Sequence, residues 1–349
     1  MFAMREDLQK KFDAFWANKA IDGPVLYLFT EKAPSEKNIS AEKKWTDLDY
    51  RLNRFNETDF TYYGDGYPWT FTNFGPGSLS ACIGGDFIPA EHTIWFDQNP
   101  IIKDWDNLPD IRMFESSRMW QLMADYTRML CENSNGRYHV SIADIGGTLD
   151  IISSLRGAQE LLYDLYDYPE QVNKLIDQVN GMWEWAYNAL TSMMTKYQQG
   201  TTTWFPIWSR GRNYTLQCDF CAMISPEMYR DFVHPHLKRQ TEFLDNSTYH
   251  LDGAGQIPHL ELMLTLPKLN AIQWVPGDGS PNVDDPCWYE LYERIQKADK
   301  AVTFWYAGVD LDKYERLMKR LDKSKGIFIS CHCDDEQMAK EMIRIAQLS

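Results

Sequence analysis

No stretch of the 349-residue chain reaches the roughly eighteen consecutive apolar residues that a membrane-spanning helix needs. The opening MFAMREDLQKKFDAFW is charged and amphipathic and has no apolar core of the kind a secretory signal carries. Basic charge is scarce as well: 35 Lys and Arg face 50 Asp and Glu, a net −15. No basic stripe interrupts this surface, which argues against a nucleic-acid partner. The seven cysteines are odd in number and their spacing is not that of a secreted disulfide framework, so a reducing, cytoplasmic setting is expected. There close thiol pairs point to metal binding or catalysis. Also missing are GxGxxG after the first strand, GxSxG and a Walker A loop, which removes the usual marks of dinucleotide, α/β-hydrolase and P-loop chemistry.

What is present is alternation. Hydrophobic residues make up 44%, enough for a large core. Phe12, Phe15 and Trp16 recur at helical spacing, and Pro24 to Phe29 reads as a buried strand. From Glu31 to about Asp110 the chain is aromatic and glycine-punctuated, and is expected to be an elaborated loop region over one end of the domain. Strands are predicted at Arg137 to Asp144, Thr201 to Ile207, Tyr214 to Asp219, Ser247 to Asp252, Asn270 to Val275, Ala301 to Tyr306 and Gly326 to Cys331. Helices fall between them, among them Ser153 to Tyr166, Pro169 to Tyr197, and one running from Ser225, as N-cap, to about Leu244. Short apolar strands alternating with amphipathic helices indicate parallel βαβ units. The expected fold is α/β, a single (β/α)8 TIM barrel over 1–349. Residues 1–110 supply the first helix, first strand and mouth-covering loops, and 111–349 the remaining units.

In such a barrel chemistry sits at the C-terminal ends of the strands. His250 and Asp252 are two apart on one strand and so share a face, and both can ligate zinc or move a proton. Cys331-His332-Cys333 ends the last strand with two thiols on one face and His332 on the other. In Gln217-Cys218-Asp219-Phe220-Cys221, alternation favours a pocket-facing Asp219 and a packing Cys218, with Cys221 undecided. Asp144, ahead of Gly146-Gly147, can border the pocket. Trp204, Trp208, Trp274 and Trp305 lie in or just after strands and could line an aromatic pocket, although large core aromatics serve packing by default. His234 and His236 fall within a helix and read as structural or surface residues.

Taken in order, several segments resemble one superfamily. QCDFCAMISPEMYRDFVHPHLKRQ followed by YHLDGAG, GGTLDIISSLRG with LLYDLYDYPEQV, and FWYAGVDLDKYERLM together resemble the uroporphyrinogen decarboxylase superfamily from about Tyr138 onward. The resemblance implies the barrel fold and one of two activities. True decarboxylases of that group carry an arginine-rich segment after the first strand. PVLYLFTEKAPSEKN has no arginine there, and a polycarboxylate suits poorly a chain of charge −15. The other branch resembles corrinoid-dependent zinc methyltransferases, which bind zinc through H-x-C on one strand and a late cysteine. His250 matches that histidine and Asp252 stands where the cysteine would be. Cys331 or Cys333 can supply the late thiolate, although His332 is the closest positional match.

The resemblance thus implies transfer of a methyl group from a methylcorrinoid protein to a thiol or a tetrahydrofolate-type acceptor. No D-x-H-x-x-G cobalamin signature occurs in this sequence, so the corrinoid is expected on a separate protein. The expected zinc ligands are His250, Cys331 and Cys333, with Asp252 as fourth ligand or as their partner. Expected catalytic residues are Asp219, Asp252 and His332, and expected substrate contacts Asp144, Trp208 and Trp274. A decarboxylase-type lyase and a non-catalytic ligand-binding relative are the competing readings.

Overall fold

The structure, a computed structural model, describes residues 1–35, 39–306 and 308–348. Its strands in chain order are β1 (Val25–Lys32), β2 (Asp59–Gly64), β3 (Trp69–Thr70), β4 (Ile88–Pro89), β5 (Ile94–Trp95), β6 (His139–Val140), β7 (Asn213–Leu216), β8 (Asn246–Asp252), β9 (Ala271–Val275), β10 (Ala301–Tyr306) and β11 (Ile327–His332). The order β2-β1-β11-β10-β9-β8-β7 forms the central sheet, all parallel except for the antiparallel β2 on the β1 edge. β3 pairs in parallel with β6, and β4 pairs with β5 as a small antiparallel unit.

The fold is therefore α/β around a parallel-rich sheet. Among the described residues no backbone ladder closes it into a ring of eight strands. Two expected strands account for the gap. Only His139–Val140 of the Arg137 to Asp144 segment pairs as a strand. Beside it the Gln198 side chain takes the place of a neighbouring backbone, with its Oε1 accepting from Val140 N at 2.8 Å and its Nε2 donating to Val140 O at 2.8 Å. The Thr201 to Ile207 segment turns back on itself, with Thr201 bridging Ser209 in antiparallel fashion. Pro206 has no N–H to offer a ladder. This segment still lies between its neighbours, since Ile142 N donates to Thr202 O at 2.9 Å and Asn213 Nδ2 to Thr201 O at 2.7 Å.

Strand alternation sorts the core into two parts. Ile327, Ile329 and Cys331 of β11 pack outward with the helices. Phe328, between them, packs inward with Phe12, Phe205, Ala271 and Ala301. The helix Glu6–Trp16 closes the N-terminal end of the sheet, burying Leu8, Phe12, Phe15 and Trp16. A side chain at Gly326 would meet Phe15 O and Ala301 Cβ, both at 2.8 Å, so only glycine allows this helix to sit so close.

Other expectations are refined. Ser225 does cap a helix, accepting from Met228 N at 3.3 Å. That helix is interrupted by a π-turn at Tyr229–Val233 before continuing as His234–Phe243, because Pro235 removes a backbone donor. The single helix expected over Ser153 to Tyr166 is two, Thr148–Arg156 and Ala158–Asp167, parted by Gly157 at φ 94°. The region after Glu31 holds the helices Ala41–Thr46, Leu48–Glu57 and Ser78–Cys82 besides its short strands. Among the described residues no helix is long and apolar enough to cross a membrane.

His139 gives the fold a pH dependence. It is fully buried, with Nδ1 3.0 Å from Thr202 Oγ1 and Nε2 3.3 Å from Gln199 O. Trp69 Nε1 donates to the same threonine oxygen at 3.2 Å, an arrangement in which the hydroxyl proton can be donated to Nδ1 of a neutral imidazole. Burial pushes the His139 pKa down from 6.5 to about 4. Between these values the unfolded chain binds the extra proton, so this contribution is full above pH 6.5 and is lost as pH falls toward 4. His139→Gln is expected to remove up to about 3 kcal/mol of that acid sensitivity. Urea melts of both proteins at a series of pH values check this, and parallel stability profiles would refute it.

Candidate metal centre

At the C-terminal end of the sheet, Asp219, His250 and Asp252 each offer a ligand atom, and these atoms lie within 4.8 Å of one another. His250 and Asp252 come from β8, where alternation aims both inward, with His250 Nε2 3.7 Å from Asp252 Oδ2. Asp219 follows β7 at the start of a short 3-10 turn, Asp219–Met223. Gln273, inward-facing on the adjacent β9, lies 2.8 Å from His250 Nδ1 through its Oε1. With Nδ1–H donating to that oxygen, the lone pair of the imidazole sits on Nε2, toward the carboxylates. Gln256, fully buried, donates to Asp219 Oδ1 at 3.5 Å and accepts from Tyr249 OH at 3.2 Å. Trp204 covers the imidazole edge-on, ring centroids 5.0 Å apart.

The electrostatics suit a cation. Burial pulls the His250 pKa down, but its hydrogen bond to Asp252 and the charges of Asp219 and Asp252 outweigh this and the net shift is upward. Burial, followed by the Asp252 charge, raises Asp219. Two more carboxyls sit close by. Asp144 is buried and accepts from Tyr214 OH at 3.0 Å and Gly146 N at 2.8 Å, and burial raises it to about 7. Asp150 accepts from Phe220 N at 2.7 Å through Oδ1, while its buried Oδ2 has no partner. Burial and the Asp219 charge raise Asp150 to about 7. Asp150, Gln217 and Asp219 line a cavity of about 350 Å³ with Pro76, Gly77 and Thr93 to Asp97. The segment after β1 thus supplies part of the wall beside the site.

Not every expected site residue comes to this mouth. Cys331 and Cys333 are buried in the helix-facing core beside Tyr306 and Tyr314, on the opposite face of β11 from the inward Phe328. The two thiols do share a face, but alternation turns it away from His250. The Cys331 thiol is pushed upward by its hydrogen bond with Cys333 and by burial. His332 does share the inward face of β11 with Phe328, is exposed at the strand end and stacks on Phe29 at 5.2 Å, apart from the trio. Cys218 and Cys221 are both buried in the helix-facing core.

The tryptophans divide similarly. Trp208 lies at the closed N-terminal end, where its carbonyl accepts from Trp16 Nε1 at 2.9 Å. Trp274 points outward onto Trp288, centroids 4.9 Å apart. Trp204 and Trp305 are the two that reach the mouth. Gln273, Gln256 and Asp150 were not singled out in the sequence. The strand parity of Gln273 with His250 was a usable signal for the first, and none existed for the others.

No family model and no curated protein matches the sequence. Among solved structures the chain is similar to a methyltransferase from Methanosarcina mazei, with a TM-score of 0.55 and 11% identity over 80% of this chain and 78% of that one. At this identity the likeness is one of fold.

Proposed function

We propose that this chain is a zinc-dependent methyltransferase of the uroporphyrinogen decarboxylase-like kind, built on an open variant of the (β/α)8 barrel. It would move a methyl group from a methylcorrinoid protein to a thiol or tetrahydrofolate-type acceptor. The observation that carries this reading is the convergence of Asp219, His250 and Asp252 at the strand ends. The fold shared with a methyltransferase and the sequence resemblance support it. Three protein ligands with a position left for substrate is the usual composition of a catalytic zinc site, and carboxylate and imidazole are accepted ligands. Asp219, His250 and Asp252 would hold the ion, their ligand atoms lying within 4.8 Å of one another.

A bound ion would supply Lewis acidity, holding the acceptor in its deprotonated, nucleophilic form. The chain's own residues do the rest. Gln273 keeps His250 Nε2 aimed at the site, and Gln256 orients Asp219. Asp150, a cavity-lining carboxyl that burial and the Asp219 charge raise to about 7, can take the acceptor's proton at neutral pH. The acidic wall of Asp97, Asp150 and Asp219 disfavours the polycarboxylate of a decarboxylase. The test is to follow methylcobalamin, as a surrogate donor, by its visible spectrum with a thiol acceptor. Demethylation is expected with metal-loaded protein and not with Asp219→Asn. Equal rates with both, or with the chelated wild type, would sink the reading.

A further inference from the structure

A second cavity, of about 280 Å³, is lined by none of the metal trio, and the chemistry proposed for the trio does not use its wall. Strand alternation builds it. Tyr27, Phe29 and Glu31 share the inward face of β1, and the antiparallel register sets Tyr62 opposite Phe29 and Phe60 opposite Glu31. Trp69 and Phe71 add a stacked pair, interplanar angle 8°. Trp305 also lines the cavity; its ring lies 5.6 Å from that of Phe205, which in turn lies 6.3 Å from that of Trp204, the ring over His250. The lining holds one charged group, the carboxylate of Glu31 at the rim. Among the described residues Glu31 has no ion-pair partner. At the floor Ser330 is fully buried and its Oγ has no hydrogen-bond partner.

Electron-rich faces around a cavity with a single carboxylate favour a cation that cannot donate hydrogen bonds. Arg51 and Arg54, which line the adjoining cavity with Lys44 and Glu31, are bonded elsewhere: Arg51 donates to Trp45 O at 3.1 Å and lies between the rings of Phe74 and Tyr126 at 4.2 and 4.3 Å, and Arg54 donates to Pro34 O at 2.8 Å. The chain's net charge of −15 also favours cationic over anionic ligands. We infer that this cavity binds a small quaternary ammonium compound, whose methylated head sits against Phe29, Tyr62, Trp69, Phe71 and Trp305 near Glu31, with Ser330 Oγ bonding a polar group on its tail. This site stands apart from the methyltransferase reading: a quaternary nitrogen has no lone pair to take a methyl group, so the compound is a bound ligand and not the methyl acceptor proposed above.

The probes are choline and its neutral isostere, in which a carbon replaces the nitrogen. Isothermal titration is expected to show choline binding roughly 10- to 30-fold tighter than the isostere. Glu31→Gln, an exposed change that spares the fold, is expected to cut that ratio severalfold, and Trp305→Leu to weaken choline more than the isostere. The same titration on His250→Ala is expected to give unchanged choline affinity with metal lost, which separates this site from the metal reading. An isostere that binds as tightly as choline, or choline binding that Glu31→Gln and Trp305→Leu both leave intact, would overturn the proposal, as would no binding of choline.

Discussion

Alanine in place of His250 is expected to abolish stoichiometric binding of a divalent ion, while replacing Cys331 and Cys333 together leaves it intact. The imidazole is the only nitrogen ligand in the trio, and its loss leaves two carboxylates that repel each other. Removing a partner that merely orients a ligand costs roughly 10–100-fold in metal affinity. Loss of the ligand itself should exceed about 100-fold, and Gln273→Leu, which frees Nδ1 from its 2.8 Å contact, should fall within the lower range. Binding also requires deprotonated ligands. The raised His250 and Asp219 pKa values make protons compete at higher pH than for isolated groups, so affinity should drop as the solution is acidified. Metal per chain after dialysis, followed by competition titration with a chromogenic chelator, measures all of this. A wild type without metal, or a His250→Ala protein that retains it, would dismiss the centre. Loss of metal on replacing the cysteines would restore the thiolates as ligands.

The contrast between those two sets of residues shows what could be read in the sequence. The alternation of strands and helices reported the parallel sheet and the end at which polar residues gather, because both follow from local periodicity. The pairing of His250 with Asp252 followed from spacing on one strand. Which face of β11 looks inward did not, since every residue from Ile327 to Cys331 is buried and a strand covered on both sides carries no polarity signal. Cys331-His332-Cys333 therefore offered two equal parities. Trp274 posed the same problem on β9, buried through Trp274. The ends of the ladder were hidden for another reason. Gln198 replaces a backbone with a side-chain amide, and nothing in Gln198-Gln199-Gly200 marks that role. The aromatic cavity was obscured by distance in sequence, since Phe29, Tyr62, Trp69 and Trp305 meet only when β1, β2, β3 and β10 assemble.

The largest loss of stability is expected from Arg156→Ala. Arg156 ends the helix Thr148–Arg156, and its guanidinium forms a two-pronged pair with Asp164, Nε to Oδ2 at 2.7 Å and Nη2 to Oδ1 at 3.2 Å. The side chain of Asp164 is only 3% exposed and that of Arg156 only 11%, so both charges were desolvated on folding. Nη1 also donates to Ile102 O at 3.2 Å and Lys103 O at 3.0 Å. One side chain thus joins two helices across the Gly157 break and ties down the chain that follows the cavity-lining stretch Thr93 to Asp97. Breaking a buried pair by removing one partner typically costs about 3–5 kcal/mol, because the other charge stays behind unpaired. The double change Arg156→Met with Asp164→Leu removes both charges and should recover much of that loss, short of the two carbonyls left without their donor. Denaturant melts of the single and double variants measure the pair. The consequence for the site is separate: the backbone bonds from Ile101 and Ile102 to Leu155 O, 2.8 and 2.9 Å, remain, so the wall segment should loosen rather than detach. Hydrogen exchange is expected to speed up at residues 93–103 in Arg156→Ala under conditions where the rest of the sheet stays protected. Uniform acceleration across the chain would show that the pair serves global stability alone and does not hold the mouth.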